Sequence, residues 1–61
     1  MLVPPLRQTF LEVAEESEAQ AAQLELRAMK DPQRARHLRA YANHHRKLAD
    51  TARKLAEDLR Y

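Results

Sequence analysis

LRAYANHHRKLADTARKLAEDL, residues 38–59, repeats itself every seven residues. Leu38, His45, Ala52 and Leu59 form one series, Tyr41, Leu48 and Leu55 fall three later, and Ala42, Ala49 and Ala56 sit beside them. A sustained seven-residue apolar recurrence marks an α-helix that packs along one seam against another helix. The series predicts Leu38, Tyr41, Leu48 and Leu55 inside that seam, with the alanines widening it. Arg39, Arg46, Arg53 and Arg60 each follow a member of the first series. The doubled phrase Arg-Lys-Leu-Ala-acid at Arg46 and Arg53 is therefore the period of the coil.

The partner stretch lies earlier in the chain. Leu6, Phe10, Val13, Ser17, Ala21, Leu24 and Ala28 share a weaker amphipathic stripe. Between the two segments the punctuation is Lys30-Asp31-Pro32: proline disfavours the α region at Asp31, and Asp31 is placed to cap the helix that Pro32 begins. The rest is rich in strong helix formers and poor in β-branched residues. The reading is a single helical-hairpin domain over residues 1–61, with helix 1 from about 5 to 30, a tight turn at 30–32 and helix 2 from about 32 to 60.

Folding the chain at Asp31 into an antiparallel hairpin sets residue i against a residue near 62 minus i, roughly, because both helices rise equally per residue. Phe10 then meets Ala52, Leu48 meets Ala14, Leu38 meets Leu24 and Tyr41 meets Ala21, so that in most layers a large residue opposes a small one. His45 meets Ser17, a polar layer in the seam. The same register sets Glu15 by Lys47, Glu16 by Arg46, Glu18 by His44 and Glu25 by His37. These pairings follow from an uneven charge distribution: residues 1–30 carry three bases against five acids, and residues 31–61 carry eight against four.

A second apolar set, Ala19, Ala22, Leu26 and Met29, lies on another face of helix 1 and does not point at helix 2 at the same time. It calls for another chain. A chain of 61 residues buries only about 60% of the surface its unfolded form exposes. Ordering it costs on the order of 1.5 kcal/mol per residue. With no cysteine, neither a disulfide nor a thiolate metal site offsets that cost. A homodimer forming a four-helix bundle is the expected answer, with Ala19, Ala22, Leu26 and Met29 as the dimer or partner interface.

Other classes find little support. Glycine is absent, which removes the usual phosphate-cradling loops. Met1-Leu2-Val3 stops at Pro4-Pro5 without a basic leader or a long apolar run, so neither a signal peptide nor a membrane span is expected. Met1 suggests a complete small open reading frame, and a cytoplasmic location is expected. Ser17 and His45 lack a third catalytic member, and Glu12, Glu15, Glu16 and Glu18 lie on a convex surface without a predicted pocket. No enzymatic activity and no cofactor are expected.

The histidines are spaced against a shared metal. His37 and His44 stand two turns apart, roughly 10.5 Å along the axis, and consecutive His44 and His45 diverge. No Glu stands three residues before any of them, as a di-iron carboxylate site would need. His45 is read instead as a structural polar residue that fixes register, so acidification through the histidine range is expected to loosen the bundle.

The basic arc Arg34, Arg36, Arg39, Arg46 and Lys47 contains no acid and is the candidate contact for a polyanion, with the first three nearest the hairpin tip. Its plainer reading is a solvated face: Asp50 follows Arg46, Glu57 follows Arg53 and Asp58 follows Lys54, each by one turn. The layout, a helical hairpin of this size, resembles the Rop family of plasmid copy-control proteins, whose dimers bind paired RNA hairpins. That resemblance implies the dimeric bundle and a small nucleic-acid-binding regulator. Rop reads RNA chiefly with its first helix, whereas here helix 1 is acidic at Glu12, Glu15, Glu16 and Glu18. Any RNA contact therefore falls to the basic arc of helix 2. The leading expectation is a non-enzymatic hairpin acting through protein–protein interaction, as a homodimeric scaffold, adaptor or regulatory subunit.

Overall fold

A computed structural model describes residues 6–59. Two helices, α1 (Leu6–Lys30) and α2 (Ala35–Asp58), pack against each other as a hairpin. Met1 to Pro5, Arg60 and Tyr61, with the expectations that fall on them, lie outside the described residues.

The turn takes four residues where the sequence suggested a tighter break. Asp31 closes the last turn of α1, its N–H donating to the Arg27 carbonyl at 2.9 Å. Pro32 has no N–H to continue the ladder. Arg34 N–H then donates to Asp31 O at 3.2 Å, and Leu38 N–H to Arg34 O at 2.9 Å. Helix 2 therefore begins at Ala35, three residues after Pro32, and Arg34, not Asp31, is its N-cap; no side chain bonds its first turn. Asp31 faces Arg34 at 3.9 Å instead, both side chains well exposed. Every described residue keeps φ negative, so the glycine-free chain reverses without a left-handed residue. Arg27 and Lys30, in the last turn of α1, suit the negative end of its dipole.

The seam corrects the sequence reading. Among the described residues the buried apolar side chains are all alanines: Ala14, Ala21 and Ala28 on α1 and Ala42, Ala49, Ala52 and Ala56 on α2, with Ser17 buried among them. Ala14, Ala49 and Ala52 cluster with Phe10 against them, which keeps the expected meeting of Phe10 and Ala52. Tyr41, Leu48 and Leu55 are not in the seam; they are 62%, 43% and 42% exposed. The helix is turned by about half a residue, roughly 50°, so that alanine faces the partner while Ala52 stays buried and Leu38, His45 and Leu59 half-buried. Small side chains let two backbones approach at the short end of the usual 8–10 Å, roughly, whereas leucine knobs hold them apart. A buried alanine contributes one methyl, about 0.8 kcal/mol, against about 1.5–3 kcal/mol for a buried leucine. The seam thus fixes geometry more than it supplies stability.

The register moves as well. Glu25 pairs with Arg46 and Glu18 with Arg53, not with His37 and His44. The residue numbers in each pair add to 71 instead of 62. Part of the shift comes from the four-residue turn, whose centre lies beyond Asp31. The remainder comes from side-chain direction: helical side chains lean toward their own N-terminus, so in an antiparallel pair Glu25 and Arg46 lean toward each other along the axis.

The result is a single-layer plate. Its Cα extents are 48 × 21 × 10 Å, and its radius of gyration of 14.4 Å exceeds the roughly 10.5 Å of a compact chain of this length. No large side chain is fully buried among the described residues.

Candidate functional site

The two sides of the plate differ because of how α2 is rotated. At about 100° per residue, Arg46 and Arg53 lie roughly 40–60° to one side of Ala49, while Leu48 and Leu55 lie roughly 100–120° to the other. One side therefore carries ion pairs and the other carries apolar side chains.

On the charged side, Arg46 donates to Glu25, and Arg53 pairs with Glu18 and, at 3.7 Å, with Asp50. The hydrogen bond that Arg53 donates to Glu18 raises the Arg53 pKa above its ordinary value; desolvation opposes it, and the charges of Glu18 and Asp50 add to it. All these side chains remain more than a third exposed, so their net effect on stability is small.

On the other side, Phe10, Val13, Ser17, Leu48, Thr51, Ala52 and Leu55 line an open groove between the helices. It continues into a hollow lined by Glu16, Ser17, Gln20, His45 and Leu48. Leu6 at one end and Tyr41 at the other extend the stripes, being four residues from Phe10 and His45, and both are exposed. This face is built by both helices.

The anticipated residues fall in different places. Ser17 and His45 share the walls of one hollow, with Ser17 buried and His45 half-buried. His44 packs its ring edge-on to His45 at 5.9 Å between centroids. Ala19, Ala22, Leu26 and Met29 are all exposed, Leu26 at 55% and Met29 at 78%, on α1 alone. Arg34, Arg36, Arg39 and Lys47 are exposed, but Arg46 leaves the basic arc to pair with Glu25. Among the described residues no three His, Cys, Asp or Glu side chains gather as metal ligands, and no helix is long and apolar enough to cross a membrane.

Sequence reasoning assigned Phe10, Val13, Leu48 and Leu55 to the seam and so missed them as a surface. The signal was present. Alanine recurs by seven in both helices, at 14, 21, 28 and at 42, 49, 56, which is a complete seam without the leucines.

Set beside known proteins, the chain matches no family, no curated sequence and no solved structure.

Proposed function

We propose that the protein is a non-enzymatic binding module whose working surface is the groove face, and that it acts as a scaffold, adaptor or regulatory subunit by covering that face with another helical surface. The observation that carries this reading is the exposure of Tyr41, Leu48 and Leu55 beside a seam whose buried apolar residues are alanines. Domains ordinarily bury apolar faces between two packed layers, and this chain supplies only one. The groove also has the form that receives an amphipathic helix, apolar along its floor with polar groups at its margin.

A second reading, a Rop-like nucleic-acid-binding regulator, is supported by the hairpin tip, where Arg34, Arg36 and Arg39 are exposed and Asp31 is the nearest acid in sequence. Phosphate contacts make affinity fall with salt. If this reading holds, replacing the three arginines by alanine flattens the salt dependence of RNA binding; an unchanged slope discards it.

The concentration dependence of thermal melting tests the leading reading, since association raises the melting temperature as protein is added. A rise that disappears in Leu48→Glu supports the groove as a self-association surface. A wild type partly unfolded at every concentration assigns the groove to a different protein. A sharp, concentration-independent transition shared by the variant overturns the reading.

A further inference from the structure

We infer that the occupant of the groove is a second copy of this chain, packed face to face with its turn at the opposite end. The inference rests on reading the groove as a protein-binding face, and names what covers it and in which direction.

The area argues for a substantial partner. The chain exposes 5362 Å², whereas folded monomers of its mass expose about 4,100 Å². On the groove side the exposed apolar residues include Val13, Tyr41, Leu48 and Leu55, each more than 40% exposed.

Charge argues for the direction. The half nearer the turn, residues 20–45, carries Arg27, Lys30, Arg34, Arg36 and Arg39 against Glu25 and Asp31. The other half, residues 6–19 and 46–59, carries five bases against seven acids. The plate is therefore positive toward its turn and negative toward its open end. Stacking two copies with both turns together sets like halves over each other; turning one end over end sets the positive half of each over the negative half of the other, as complementary interfaces require.

Shape agrees with charge. The hollow holding Ser17, Gln20 and His45 lies near the middle of the plate and becomes the pivot. Tyr41 stands about 6 Å from it toward the turn, and the Leu48–Ala52 part of the groove lies on the other side. The end-over-end arrangement brings Tyr41 of each copy over the groove of the other, a projecting ring opposite an apolar recess. The like-ended arrangement lays α2 of each copy over α1 of the other, sets both Tyr41 side chains at one level away from the recess, and puts groove over groove.

A single spin label tests this. The chain has no cysteine, and Gln33 is exposed in the turn, so Gln33→Cys labels one site per copy. Opposed turns give a label-to-label distance of about 40 Å, the length of a 25-residue helix. A distance under about 20 Å, as expected when packed helices lie about 8–10 Å apart, overturns the orientation and leaves the groove as a protein-binding face. Absence of any distance between copies in folded protein overturns the second copy as occupant. Leu48→Ser added to the labelled chain is expected to abolish the long distance; a distance that persists unchanged removes the groove as the interface.

Discussion

Arg46 on α2 donates to Glu25 on α1 across the hairpin, and Arg53 meets Glu18 one heptad further along, so both cross-helix pairs sit on the side of the plate opposite Leu48 and Leu55. The pairs sort the two faces: Glu18, Glu25, Arg46 and Arg53 are paired within the chain on one side, and the apolar stripe lies on the other. Replacing Glu25 by Gln is expected to cost about 0.2–1 kcal/mol, less at high salt. Denaturant unfolding at low and high salt checks it. A loss well above that range would make the pair a determinant of the fold.

The raised Arg53 pKa has a definite sign. A group whose folded-state pKa is raised adds stability that is complete below its unfolded value and is lost as pH rises through the folded value. For arginine that window lies above about pH 12, so stability should not change between about pH 7 and 10 on account of Arg53. Wild type and Arg53→Met melted across this interval should differ by a constant amount; a gap that varies with pH contradicts the assignment.

The alanine seam has no room. Ala21 and Ala49 are wholly buried, and inserting methylenes into a packed core typically costs about 1–3 kcal/mol. Ala49→Leu should destabilise by that amount, despite restoring the leucine-lined seam that the heptad suggested. Unfolding at equilibrium decides: an unchanged or more stable variant would mean that the helices do not approach as closely as their alanines allow.

Asp31 gives a smaller and equally specific prediction. A working N-cap is worth typically about 1 kcal/mol, but no side chain caps α2. Asp31→Ala should therefore cost less than about 0.5 kcal/mol, whereas a full capping loss on denaturation would restore the role read from the sequence.

Two apolar surfaces compete as the interface. Leu48 belongs to a groove shared by both helices, while Met29 projects from α1 alone. Leu48→Ser is expected to weaken association tenfold or more, on the order of 1.4 kcal/mol, and Met29→Ser to leave it unchanged. Dissociation constants for the two variants measured side by side check this; the reverse order would return the interface to Ala19, Ala22, Leu26 and Met29.

Hairpin topology was legible because Pro32 and the heptad are local signals, and Pro32 interrupts a chain otherwise made of helix formers. The meeting of Phe10 with Ala52 was also legible, since it depends only on approximate register. The rotation of α2 did not survive. A heptad with leucine at one position and alanine at the next fits two seams that share the Ala52 series and lie about 50° apart, and periodicity is the same for both. The choice depends on how closely the backbones approach, a property of both helices together. The ion pairs were misassigned because the turn is longer than Pro32 alone suggests and because the lean of helical side chains is invisible in residue spacing.

Sedimentation equilibrium of the wild type beside Leu48→Ser tests the central claim most directly. The account predicts a folded wild type at twice the 7.1 kDa chain mass and a variant shifted toward the single chain. A wild type that stays folded at 7.1 kDa at every concentration, with the variant indistinguishable from it, would contradict it.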